Sequence, residues 1–536
     1  MPLGALVSGS LRVGVSAFVS FVAFASSVSQ AAHVVTREQA LETMKRATTF
    51  MVEKVSLRGG YVWSYLPDMS RRWGELEAGP TMVWIQSGTP SMGHVFLDAY
   101  HATGDAFYYR AAEAVGDVLI AVQHPSGGWN YVADLAGEAS LREWYATIGR
   151  SAWRLEEFQH YCGNATFDDS TTPDAARFML RLFLEKREPR FGEAVERVVR
   201  FVLESQYPMG GWPQRWPHAA SGEDCPDYAR HVTLNDRVGS ENMDFLIYCF
   251  GTLGDERLLE PIRRGMDAFL LLQQPAPQPG WALQYDPETL KPAAARTYEP
   301  ASLSSSATAA CIRDLMTFYE RTGDERYLAR VPEAIAWLEA ITLLPHPAHR
   351  GSHPTFVEIG TGRTLYVHRS GSNATNGRYY VDYDPENTVT HYNSTRNIDV
   401  AGLKRHYERL RAASVEPAAP GELFRGGVVP TAFPKYVGGN APVFVAAVAD
   451  RAATERIERI VSTLNAEGWW PTPLRFTSNP YRGPAPKDVA PGEYVTTLVG
   501  DVFDTSMYRT DTPETGIAIT SYMGNMRALI GFVGER

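Results

Sequence analysis

The chain has 536 residues, 44% of them hydrophobic and 21% charged, an ordinary globular composition with room for one large core or about three domains. Its formal net charge of -10 argues against nucleic acid as a partner, since that calls for a basic patch. The same charge opposes any polyanionic ligand unless local cations or a metal reverse the field.

In chain order, the first element is a targeting segment. Arg12 is the only charged side chain before Arg37, and Val13 to Val28 is a largely apolar run rich in small residues. "SVSQAA" then offers a cleavage site near Ala31 or Ala32, so residues 1–31 read as a secretory signal peptide. The run is shorter than the ~20 residues a membrane span needs. The protein is expected to be secreted or periplasmic, with no membrane attachment after cleavage. Export permits disulfides among Cys162, Cys225, Cys249 and Cys311, but spacing leaves their pairing open, and four free thiols is the alternative. Residues 32–114 read as an N-terminal helical extension. Glu75, Glu77 and His94 are its polar candidates, each expected to be solvated or packed.

A repeat follows. Segments starting at Ala102, Lys186 and Thr252 each run through a polar turn, a helix, a Gln, a Pro-containing loop and Gly-Trp. A fourth, from Arg321, keeps the turn and helix and loses the Gly-Trp. The helices are amphipathic: Phe191, Val195, Val198, Val199 and Val202 share one face, as do Leu258, Ile262, Met266, Phe269 and Leu270. A second helix precedes each polar turn. Helix pairs of this length suggest an all-α fold, an (α/α) toroid or partial barrel, with the functional loops gathered at one rim. The tryptophans at 129, 212, 281 and 469 are either packed at helix ends or platforms for sugar rings.

Two acid-bearing stretches occupy the same point of successive units. "NATFDDSTTPDAARF" brings Asp168 and Asp169 to a helix start, where Thr171 and Thr172 could cap. "HVTLNDRVGSENMDF" brings Asn235 and Asp236. Singly these are acidic helix starts. Together they supply oxygen ligands for a hard cation such as Ca²⁺. The charged loop "AARTYEPASLSSS" at 294–306 lacks an apolar period. Residues 411–536 read as a C-terminal helical extension, with a separate domain as the alternative.

These stretches resemble the pectate lyases of polysaccharide lyase family 10 (pectic acid lyase). The resemblance rests on "GGW" at 127–129, "ATFDDSTT" at 165–172, "SQYPMGGWPQRWP" at 205–217 and "HVTLNDR" at 231–237. It continues through "LQYDPETLKPAAARTYEPASLS" at 283–304 and "FVEIGTGRTLYVHRSG" at 356–371. It spans about 115–410, taken as the catalytic toroid. The family implies Ca²⁺-dependent cleavage of an acidic polysaccharide, polygalacturonate, by β-elimination. Carried over by position, Asp168, Asp169 and Asp236 look like the metal site, and Arg296 like the catalytic residue that takes the C5 proton. Arg369, Trp212, Gln214, Lys291 and Tyr298 are expected to bind substrate. Where the family has Asp-Asn-Gly-Ala-Thr, this chain has Asp168-Asp169-Ser170-Thr171-Thr172, adding a carboxylate. A monomer is expected. The competing readings are a glycoside hydrolase using Asp168 and Asp236 as its carboxylate pair, or a sugar-binding protein without catalysis.

Overall fold

In a computed structural model the helix pairs follow one another as the repeat implies. The structure describes residues 35–151, 156–219, 225–370, 378–386, 388, 394–413, 415–437, 451–474 and 515–534; the signal-peptide region lies outside them. The described residues belong to one compact unit. The N-terminal helix α1 (Arg37–Phe50) opens with a capping box between Thr36 and Gln39. The repeat helices are α2 (Thr89–Thr103), α3 (Ala106–Ala121), α5 (Thr171–Lys186), α6 (Pro189–Ser205), α7 (Val238–Leu253), α8 (Leu259–Leu272) and α9 (Ser305–Thr322). Between α3 and α5 lies α4 (Glu138–Thr147), and α10 (Arg326–Ala329) and α11 (Val331–Ala340) follow α9. The chain ends with α12 (Val400–Ala413), α13 (Arg451–Thr463) and α14 (Ile519–Gly534). Helices α14, α2, α5 and α7 pack side by side in that order, and α3, α6 and α8 back them from outside. This is an (α/α) toroid.

The C-terminal segment is a further pair of the same ring. Helix α14 packs on α1 and α2, and its leading strand Ile517–Ala518 pairs antiparallel with Ser64–Tyr65 of the N-terminal extension. The two extensions therefore meet.

Each loop of the repeat is fastened the same way. The indole N–H of Trp129 donates to the Leu119 carbonyl, that of Trp212 to Val202, and that of Trp281 to Phe269. The repeated glutamine joins its own loop to the next repeat: Gln123 donates to Gly127 and Ala194, Gln206 to Gly210 and Pro261, and Gln273 to Pro279 and Arg330. The first glycine of each Gly-Gly-Trp is demanded by space and conformation. Gly127 and Gly210 have φ of 108° and 105°, and a Cβ there would meet the backbone of Arg197 and Arg264 at 2.2 and 1.9 Å.

Three expectations change here. The tryptophans at 129, 212 and 281 are fully packed, so Trp212 offers no face to a sugar. In the last unit Trp470, not Trp469, takes the repeat position, its indole donating to the Ile460 carbonyl. Thr172 does not cap α5; its hydroxyl accepts from the Trp129 N–H and donates to the Trp129 carbonyl. Accordingly Trp212→Ala is expected to lose about 3–5 kcal/mol of stability, as for other buried tryptophans. The milder Trp212→Phe should leave KM for substrate unchanged while lowering the unfolding midpoint.

A strap crosses the end of the ring where the inner helices finish. Ala418 and Arg425 donate backbone N–H groups to Thr322 and Arg321 at the end of α9. Phe433 stacks on Tyr248 of α7 at 4.4 Å. The Lys435 carbonyl accepts from Arg181, and the Val437 N–H donates to Asp98, which is itself ion-paired to Arg181 at 2.6 Å. His94 packs in this buried network, and burial beside Arg181 pushes its pKa well down.

Of the four cysteines, Cys162 and Cys225 form a disulfide, while Cys249 and Cys311 are buried free thiols. The bond joins loops 63 residues apart. On loop-entropy grounds, replacing both cysteines by serine is expected to cost up to about 4 kcal/mol, read as a lower denaturant midpoint.

Candidate active site

The starts of the inner helices carry the acids that the sequence reads as a candidate site. The strand Ala165–Thr166 pairs antiparallel with Arg215–Trp216, and Val232–Thr233 pairs in the same manner with Gln284–Tyr285. Each strand runs into the same tight turn. Asp169 and Ser170 have φ of 48° and 59°; Asp236 and Arg237 have φ of 48° and 60°. Two successive non-glycine residues in the left-handed region are strained, and here the strain recurs in both units. The two turns touch. The acids read at equivalent positions are thus adjacent in space, and the positive ends of α5 and α7 lie behind them.

Asp168 is completely buried. Its Oδ2 accepts from the Tyr131 hydroxyl at 2.6 Å and from Arg296 Nη2 at 2.5 Å. Burial works against its charge, but Arg296 and Tyr131 outweigh burial and hold the carboxyl below its ordinary pKa. No hydrogen bond reaches its Oδ1. Asp236 lies against Asp168; burial first, and then that neighbour, push its pKa well up. Asp169 Oδ2 accepts from the Gln86 amide at 2.6 Å. Burial and then Asp168, Asp236, Glu75 and Glu157 push its pKa well up too.

Arg296 is 4% exposed and sits among three carboxylates: Asp168, Glu157 at 3.2 Å and Glu299 at 3.4 Å. Burial disfavours its charge, yet these partners raise its pKa well above the ordinary value. Glu299 also accepts from the Arg296 backbone N–H at 3.0 Å, closing the turn that presents the guanidinium.

The other expected binders separate. Gln214 is buried, and its carbonyl accepts from Phe167 N–H beside Asp168. Tyr298 is not available to substrate: its ring is buried against Phe356, Leu365 and Val367 and meets Tyr379 edge-on at 5.1 Å. Lys291 is exposed in a surface turn, its carbonyl accepting from Asp286. Arg369 lies in the strand Thr364–Ser370, paired with Tyr379; its side chain is outside the described residues.

Two residues join that the sequence did not single out for this place. Glu157 contacts Arg296 directly. Glu75, expected to be solvated or packed, offers an oxygen within 4.8 Å of those of Glu157 and Asp169. It stands at the tip of the hairpin between Arg72–Trp73 and Glu77–Ala78. Glu77, by contrast, is packed, paired to Arg71 at 2.6 Å. The donors are all carboxylate oxygens, and the buried Asp168 Oδ1 accepts no hydrogen bond, which fits a hard divalent cation.

The family model for pectic acid lyase matches residues 137–380. No curated protein matches the chain. A family 10 polysaccharide lyase from Cellvibrio cellulosa is similar in structure, at 17% identity and a TM-score of 0.40, covering 60% of this chain and 97% of that one. A mutant form from the same organism, solved with trigalacturonic acid, is similar at 16% identity and a TM-score of 0.41, over 60% and 98%. An α-1,6-mannanase from Salegentibacter sp. is similar at 10% identity and a TM-score of 0.34, over 93% and 98%. Over residues 137–380, just under half of its length, the chain is similar to the pectic acid lyase family.

Proposed function

We propose that the protein is a secreted, calcium-dependent lyase that cleaves polygalacturonate or a related uronate polymer by β-elimination at the Asp168–Asp169–Asp236–Arg296 cluster. The observation that carries this reading is the buried guanidinium of Arg296, held by Asp168, beside two duplicated acidic turns. In the reaction the C5–H bond breaks and its proton passes to a base. The electron pair forms the C4–C5 double bond, the C4–O bond breaks, and the departing sugar oxygen takes up a proton.

Asp168, Asp169 and Asp236, with Glu75 and Glu157 in reach, would hold Ca²⁺; bound there, the ion would withdraw charge from the uronate carboxylate and stabilise the enolate-like state. Arg296 is positioned to face the same carboxylate. Acting as base, the role the resemblance implies, requires that the carboxylates now holding its charge be engaged elsewhere. Tyr131 and Glu299 fix Asp168 and Arg296 relative to each other. The leader at 1–31 and the Cys162–Cys225 bond support export. Among the described residues no helix is long and apolar enough to cross a membrane.

The test is the ultraviolet absorbance of the conjugated product on polygalacturonate. A rise with reducing ends in step supports elimination; new reducing ends without absorbance would mean hydrolysis and sink the reading.

A further inference from the structure

Beside the acidic cluster the charge of the surface reverses. A cleft of about 690 Å³ is lined by Arg142, Tyr145, Arg150, Gln159, His160 and Tyr161, a size suited to a small ligand. Arg142 is paired to Glu138 at 2.6 Å, but both side chains are more than half exposed, so that pair is weak and readily exchanged. The Arg142 guanidinium also lies 4.2 Å from the Tyr161 ring centre. Arg150 is exposed and has no ion pair among the described residues. Beneath the cleft, Arg215 is 4% exposed and lies against the Tyr145 phenol; its Nη2 has no hydrogen-bond partner.

The cleft is linked to the reactive cluster through the segments that wall it. Its wall, Gln159 to Tyr161, follows directly on Glu156 and Glu157, which bond Thr297 and Arg296. Arg215, which lies against the cleft's Tyr145, sits over the Tyr131 ring, whose hydroxyl holds Asp168.

We propose that this cleft is an outer subsite that holds a carboxylate of the uronate chain away from the bond being broken, with Arg150 and Arg142 as its ligands. This deepens, and rests on, the lyase reading. A uronate polymer brings a carboxylate on every sugar. Arg296 is already taken up by Asp168, Glu157 and Glu299, so the sugars beyond the cluster need other cations. Arginine meets a carboxylate with two parallel hydrogen bonds.

The test compares hexagalacturonate with trigalacturonate in wild type, Arg150→Ala and Arg150→Glu. Arg150 is exposed, so the fold should persist, and thermal unfolding checks this. The ratio of kcat/KM on hexamer to that on trimer is expected to fall about tenfold in Arg150→Ala, the loss of one charge-assisted contact, and further in Arg150→Glu, mostly through KM. An unchanged ratio overturns the proposal. Should wild type show no elimination on either length, the lyase reading fails. Calorimetric binding of hexagalacturonate to wild type and Arg150→Glu then decides the cleft separately: equal affinity overturns it, and loss in the variant supports it.

Discussion

Arg296→Ala is expected to lower kcat for elimination by about 10³-fold, the scale seen when a donor aimed at developing charge is removed. The residue contacts all three of Asp168, Glu157 and Glu299. Its loss also leaves buried carboxylates uncompensated, which costs about 3–5 kcal/mol for a broken buried pair. The two effects must be separated. Arg296→Lys keeps a charge near Asp168 but cannot reach three carboxylates with a planar fork. It should therefore fold more stably than the alanine variant and remain slow. Turnover and unfolding midpoint together make the check. A folded Arg296→Ala enzyme within tenfold of wild-type turnover would show that Arg296 neither takes the proton nor clamps the substrate.

Removal of divalent cations is expected to have the second large effect. A chelator should abolish elimination, and Ca²⁺ should restore it. The same titration has a readout independent of catalysis. Ligand binding to the folded state alone stabilises it by about 2.7 kcal/mol at a hundred times Kd, so the unfolding midpoint should climb with added Ca²⁺. Asp236→Asn removes one charged oxygen from the acidic turns and should weaken both responses. Full activity in chelator, with no shift in the midpoint, would leave the acidic turns without a metal role.

The periodic features of this fold were legible because repetition exposes them. Helix pairs, the recurring Gln and Gly-Trp, and the equivalence of the Asp168 and Asp236 turns could be read from spacing. Burial was harder. Trp212 and Tyr298 sit in motifs that look like sugar binders, yet their rings fill the core, because a motif fixes order along the chain and not which face of a loop turns inward. Glu157 and Glu75 were missed for another reason. Both reach the cluster from loops whose sequence carries no period, and Glu75 comes from outside residues 137–380. Only the pairing of the N-terminal hairpin with the C-terminal strand brings it there. At Trp469-Trp470 the signal was present but ambiguous by one residue.

The strap at residues 415–437 has a consequence for how a polymer is handled. It lies where the inner helices end, while the acidic turns lie where they begin. Arg181 ties Asp98 of α2 and the strap backbone together at that end. The ring is thus a cup with a floor. For an enzyme acting as proposed, this strap would oppose the passage of a polysaccharide through the ring as a rope through an eyelet. Chain segments would then arrive and depart over the lip that carries the acidic turns, and both fragments of a cleavage would leave on the side from which they came.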